Sequence, residues 1–153
     1  MKIDRRHVAG LTLSAVALIG IANHEAFRPK AYNDGVGVFT IGFGTTKDVK
    51  PGDKITVERA LIRLGNDVNY FETKMRECIG DIPLYQHEWD AYVSLTYNIG
   101  YSAFCKSTIV KRLHQYDYKG ACLAIKMWNK AGGKVLSGLV KRREKEYKMC
   151  IGE

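Results

Sequence analysis

Glu25, Asp34 and Thr40 stand within sixteen residues of one another in the stretch HEAFRPKAYNDGVGVFTIGFGTT. Two carboxylates facing each other across a cleft are what glycosidic cleavage requires. One is protonated and hands its proton to the leaving oxygen; the other is charged, and stabilises developing positive charge or activates water. Glu25 follows an apolar run, so desolvation should raise its pKa and suit it to the acid's role. Asp34, in an Asn-Asp-Gly turn, should stay ionised, and the Thr40 hydroxyl is placed to hold a water. A surface glutamate and a turn aspartate with no role at all would show the same spacing.

The elements that must position these groups are legible in outline. Asn33, Asp34 and Gly35 carry turn chemistry, because Asn and Asp fold onto their own backbone and Gly accepts positive φ. Residues 36–44 then alternate. Gly37, Phe39, Ile41 and Phe43 make one mostly apolar face, while Val36, Val38, Thr40, Gly42 and Gly44 make another that shrinks to a floor left open for a ligand. From Thr56, a plausible N-cap with Glu58 in the first turn, a helix of about twenty residues is predicted, with Val57, Ala60, Leu61, Leu64, Val68, Phe71 and Met75 on its buried face. PLYQHEWDAYVSLTYNIG is apolar on all sides, which fits a central buried helix starting at Pro83 and ended by Gly100. Three shorter helices follow from near Ser107, Lys119 and Gly138, with the Ala-Gly-Gly at 131–133 as a break. The fold class is α+β: a small N-terminal hairpin lobe and a larger helical lobe.

At 153 residues the chain has room for one ordinary domain and none for a second. Its net charge of +8 favours association with an extended polyanion, whether nucleic acid, lipid head groups or an acidic wall polymer. Lys2, Arg5 and Arg6 precede fifteen uncharged residues, Val8 to Ala22, in the layout of an export signal. Cleavage after Ala22 would leave Glu25 beside a frayed terminus, so a functional Glu25 requires the segment to stay attached. As a helix those residues cover about 22 Å against a hydrocarbon core of about 30 Å, and Gly10, Thr12, Ser14 and Gly20 dilute them. A weak, releasable anchor over residues 1–22 preceding a catalytic domain over 23–153 is the favoured reading; a buried first helix is the alternative.

Cys78, Cys105, Cys122 and Cys150 lack the CxxC or HxxxH pairing of a zinc site, so no metal is expected. An even number of cysteines in an exported chain suggests disulfides, of which three connectivities are possible; four buried thiols is the alternative.

The spacing Glu25, Asp34, Thr40 resembles the catalytic set of the phage-type lysozymes or endolysins, glycoside hydrolase family 24. AYNDGVGVFTIGFGTT is similar to their hairpin, PLYQHEWDAYVSLTYNIG to their central helix, SAFCKSTIVKRLHQYDYKGA to the stretch after it, and WNKAGGKVLSGLVKRREKE to their C-terminal tryptophan, glycine and arginine motif. The resemblance covers nearly everything from Glu25 onward. It implies a lysozyme-like fold and a cofactor-free enzyme that cuts the β-1,4 bond between N-acetylmuramic acid and N-acetylglucosamine in peptidoglycan. Glu25 would be the general acid, Asp34 the second carboxylate and Thr40 the partner of the attacking water, with Tyr97 and Ser107 as contacts to the sugar. Where the family often has histidine this chain has Thr45, so a hydrogen bond available there is expected to be missing. The resemblance also implies a subset whose weakly hydrophobic signal anchor is fused to the catalytic helix. Such a chain would be exported to the periplasm, tethered to the inner membrane through residues 8–22, and active on release; holin-dependent release from the cytoplasm is the alternative. In an oxidising periplasm the favoured pairings are Cys78 with Cys105 and Cys122 with Cys150, each adding about 2 to 4 kcal/mol.

Other classes fit less well. A lytic transglycosylase needs only one catalytic acid, which leaves Asp34 and Thr40 unexplained. A nucleic-acid-binding module is disfavoured because the cations are spread along the chain, no recognition motif is present, and KRREKE reads as a solvated helix face. A wall-binding protein without activity would have no use for the three site residues. A monomer is expected for an enzyme working on a mesh.

Overall fold

A computed structural model describes residues 4–153, so the basic residue Lys2 lies outside the described residues. In chain order the elements are α1 (Ala15–Glu25), β1 (Arg28–Asn33), β2 (Phe39–Gly42), α2 (Val57–Ile79), α3 (Gln86–Ile99), α4 (Tyr101–Cys105), α5 (Thr108–His114), α6 (Tyr118–Ala124), β3 (Lys130–Ala131), β4 (Lys134–Val135) and α7 (Ser137–Ile151). The architecture is the expected α+β one, mostly helical with two small antiparallel hairpins, β1–β2 and β3–β4.

The centre of the helical lobe is α3. Every residue from Glu88 to Thr96 is buried, which is why its sequence is apolar on all sides. It begins three residues later than its proline suggests, because Leu84 is engaged in a backbone bridge with Arg6, with N–H to O distances of 2.8 Å both ways. It ends at Gly100, whose φ of +88° turns the chain directly into α4, an element absent from the sequence reading.

In α2, Thr56 caps the N-terminus by accepting from the Arg59 amide at 3.3 Å. Ala60, Leu64, Val68, Met75 and Ile79 are buried at helical spacing, but Val57 and Leu61, assigned to the same face, are exposed. Farther along the helix a charged residue joins the buried face. Glu72 is buried because its Oε2 accepts from Trp89 Nε1 at 2.7 Å and from the Leu13 amide at 2.9 Å.

The apolar N-terminal run is not one helix. Val8–Gly10 is a 3-10 turn, Leu11 to Ser14 are not helical, and only Ala15–Glu25 is α-helical. Side chains of α2 and α3 satisfy the backbone of this strap: Arg76 donates to the Val8 and Leu11 carbonyls, Gln86 to that of Thr12, and Asp90 accepts from the Ser14 amide and hydroxyl. Arg5 makes two hydrogen bonds to buried Glu88 and lies 3.6 Å from the centre of the Tyr118 ring. The helix α1 runs through residues 22 and 23 without interruption.

Both favoured disulfides are present, with Cα separations of 5.6 Å for Cys78–Cys105 and 5.7 Å for Cys122–Cys150. They tie α2 to α4 and α6 to α7. The Ala-Gly-Gly break is the turn of the β3–β4 hairpin, where Gly132 and Gly133 both take positive φ.

A candidate active site between the hairpin and the helical lobe

Glu25 is the last residue of α1, which stops there because Ala26 turns to φ +52° and sends Phe27 onto Phe43, ring centroids 5.5 Å apart. A carboxylate at a helix C-terminus sits where the helix dipole opposes negative charge. The compensating cation is Arg142 of α7, whose Nη1 lies 3.3 Å from Glu25 Oε1. Arg142 is in turn held by Glu146 at 3.3 Å and by the Ser94 carbonyl at 3.4 Å. Glu146 also accepts from the Ser94 hydroxyl at 2.8 Å, and its Oε2 meets Arg143 Nε at 2.7 Å. Burial raises the Glu146 carboxyl above its ordinary range, while the two guanidiniums and Ser94 oppose that. The KRREKE run is therefore not a solvated face: Arg142, Arg143 and Glu146 are all buried in a charged cluster joining α1, α3 and α7.

The other Glu25 oxygen faces the backbone leaving β2. A Cβ on Gly44 would lie 3.2 Å from Glu25 Oε2 and 3.5 Å from the Tyr97 hydroxyl, and Gly44 has a φ of +87°, so both space and conformation require glycine. Gly42 works differently. A Cβ there would meet the Ala60 Cβ at 2.9 Å, so its absence lets α2 close onto the hairpin. This corrects the reading of the small-residue face as an open floor: Thr40 and Gly42 are both buried, and β2 has only four residues, with Val36 to Val38 in the turn.

Glu25, Gly44, Asp67, Phe71, Tyr97 and Tyr101 line a cleft of about 810 Å³. Phe71 and Tyr97 meet edge to face at 5.6 Å, giving the flat, half-apolar wall suited to a sugar ring. The Tyr97 hydroxyl donates to the Phe43 carbonyl at 2.7 Å and so ties α3 to the strand exit. Burial first, with Asp67 and Glu25 adding negative charge, pushes the Tyr97 phenol well above its ordinary value. Asp67 accepts from the Thr45 hydroxyl at 2.6 Å, so the position expected to lack a hydrogen bond makes one. Burial raises the Asp67 carboxyl, opposed by that bond and by Arg63 and Lys47.

Of the sequence-predicted residues, Glu25 and Tyr97 share the cleft. Asp34 is exposed in the β1–β2 turn, its Oδ1 accepting from the amides of Val36 at 2.9 Å and Val38 at 3.3 Å. Thr40 pairs with Tyr32 across the hairpin. Ser107 is buried at the N-cap position of α5 and gives its hydroxyl to the Phe104 carbonyl at 2.6 Å, away from the cleft lining. Gly44 was read from sequence only as part of a small-residue floor, and Arg142 only within the C-terminal motif; Asp67 was not singled out, because nothing local marks it.

A profile of the phage lysozyme family matches residues 22–146. The chain belongs to the phage lysozyme family. It is a glycoside hydrolase, a muramidase that cleaves the N-acetylmuramic acid to N-acetylglucosamine linkage of peptidoglycan and lyses the host cell. It is 39% identical over 138 residues to an endolysin of Acyrthosiphon pisum secondary endosymbiont phage 1, covering 88% of this chain and 94% of the relative. It is 40% identical over 141 residues to the SAR-endolysin of Pseudomonas phage phiKMV, covering 90% and 87%. Among solved structures, the endolysin from Escherichia coli O157:H7 phage FAHEc1 superposes with a TM-score of 0.82 at 37% identity, covering 94% of this chain and 95% of that one. Among the described residues no helix is long and apolar enough to cross a membrane.

Proposed function

We propose that Glu25 is the general acid of this lysozyme, Asp34 its second carboxylate and Thr40 the residue that holds the attacking water. The observation that carries the reading is the placement of Glu25: its carboxylate lines the 810 Å³ cleft, fixed on one side by Arg142 and approached on the other by the bare backbone of Gly44. Protonated Glu25 delivers its proton to the bridging oxygen as the C1–O bond breaks, and the cationic sugar that remains needs a negative neighbour and a water. Asp34 has one oxygen engaged by two turn amides, which orients the carboxylate. Tyr97 supports one wall of the sugar site. Ser107, whose hydroxyl is already engaged, is not retained as a sugar contact. The test is release of reducing sugar from purified peptidoglycan by wild type and Glu25→Gln. The variant should fold normally and lose turnover by about a thousandfold or more; equal turnover removes Glu25 as the acid.

We also infer that residues 8–22 are a weak, releasable anchor, that the enzyme waits tethered in the periplasm, and that it works as a monomer. Relatives described as SAR-endolysins support this, as does the form the strap takes here. Its backbone from Val8 to Ser14, a 3-10 turn and then an extended stretch rather than α-helix, is satisfied by Arg76, Glu72, Gln86 and Asp90, partners that hydrocarbon cannot supply. In a bilayer the strap would have to be helical and could not sit on the lobe, so α1 could not deliver Glu25 to the cleft.

A further inference from the structure

A second pocket, of about 300 Å³, opens where the small lobe meets the start of α2, and the proposed reaction makes no use of it. Its lining includes buried Ile41, half-buried Ile55 and exposed Ile62, together with Lys54, Arg59 and Arg63. Asp53 lies in the same wall, but its Oδ2 accepts from the Lys50 amide at 2.8 Å and is tied to its own loop. Among the described residues none of Lys54, Arg59 and Arg63 takes part in an ion pair. Moreover, Lys54 stands directly opposite Lys30 in an antiparallel bridge, closed by Ala31 N–H to Asp53 O and Ile55 N–H to Pro29 O, each at 2.9 Å. Like charges directly opposite on paired strands are destabilising, so positive charge is concentrated at the edge of the pocket. The pocket also adjoins the cleft: Arg63 lines it and donates to the carbonyl of Lys47, and Lys47 lines the cleft that contains Glu25.

We propose that this pocket is a subsite for the carboxylate-bearing peptide stems of peptidoglycan, holding a stem that leaves the cleft past Lys47 while its sugar lies against Glu25. This rests on the muramidase reading. Stem peptides offer free carboxylates beside alanine methyl groups, which matches cations set beside isoleucine side chains, whereas a glycan stripped of its stems offers neither. Arg59 supplies a planar fork that a carboxylate accepts in pairs, and Arg63, held by the Lys47 carbonyl, adds positive charge beside it.

The test is equilibrium binding, read by fluorescence anisotropy, of the full chain carrying Glu25→Gln, which leaves the polymer uncut, to soluble glycan strands freed from sacculi by an endopeptidase, with their stems in place or removed by an amidase. Strands with stems should bind roughly tenfold more tightly than stripped ones, and salt should narrow the gap. Adding Lys54→Glu and Arg59→Glu should abolish that preference while binding to stripped glycan stays within about twofold. Both side chains are exposed and Lys54→Glu relieves the like-charge pair with Lys30, so thermal stability should not fall, and Lys54→Gln with Arg59→Gln should show an intermediate binding preference. Equal binding to the two polymers by the parent, or an equal loss on both in the variant, overturns the proposal. A loss seen only on envelopes that retain phosphate-rich lipopolysaccharide overturns it too. If the Glu25→Gln chain shortens the strands in the same samples, the assigned acid is wrong, and the comparison of stem-bearing with stripped strands on ice still stands.

Discussion

Arg142 Nη1 lies 3.3 Å from Glu25 Oε1, joining residues 117 positions apart at the edge of the cleft. The guanidinium is itself anchored by Glu146 and the Ser94 carbonyl, so it serves as a fixed point against which the end of α1 is set. Its loss would free Glu25 and strip Glu146 of one of its two cationic partners.

Arg142→Ala should therefore lower stability by about 3 kcal/mol, because it breaks a mostly buried charge network from one side. Arg142→Lys should recover only part of this, since one ammonium cannot reach three acceptors in fork geometry. Urea midpoints for the three proteins check the order; an Arg142→Ala protein as stable as wild type would show that the cluster contributes nothing.

Gly42 and Gly35 both have positive φ, +66° and +92°, but only Gly42 faces a close neighbour, the Ala60 Cβ at 2.9 Å from where its own would be. Gly42→Ala combines backbone strain with overpacking and should cost roughly 2 to 4 kcal/mol; Gly35→Ala carries the strain alone, about 1 to 2 kcal/mol. Thermal unfolding of both separates the two effects, and equal losses would mean that the α2 approach is not tight.

The tether can be tested without disturbing the folded enzyme. Gly10 and Gly20 have no atom within 4 Å of an added Cβ, so Gly10→Leu with Gly20→Leu should leave the purified enzyme's turnover intact while making residues 8–22 more apolar. In cells the variant should stay longer in the membrane fraction and lyse later. Unchanged fractionation and lysis timing would count against the anchor.

The buried tyrosines set an alkaline limit. Burial raises the phenols of Tyr92 and Tyr97 above their ordinary value of 10.0, so the native state holds their protons when the unfolded chain begins to lose them. The sign follows: their contribution is fully present below pH of about 10 and is lost as pH rises beyond it. Tyr97→Phe has no such proton, so the stability advantage of wild type over this variant, measured by urea unfolding, should shrink above that pH. A constant difference would place Tyr97 in water.

From sequence alone the hairpin turn, the capped α2 and the buried α3 were all legible, because each is written in neighbouring residues: Asn-Asp-Gly, Thr56, the apolar period, Gly100. The resemblance supplied the disulfide pairing in advance. Packing decided what spacing could not. Periodicity assigned Val57 and Leu61 to the core, yet both are exposed at the start of α2, while Glu72 is buried farther along it, because a carboxylate that accepts from Trp89 and Leu13 can be buried where an unpaired one cannot. The small face of β2 read as an open floor until α2 closed on Gly42, and KRREKE read as solvated until α7 turned Arg142 toward Glu25. Local sequence determined which segments become helix, turn and strand, since those preferences act over a few residues; tertiary structure alone decided which charges meet, since that depends on surfaces a hundred residues apart in the chain being brought together.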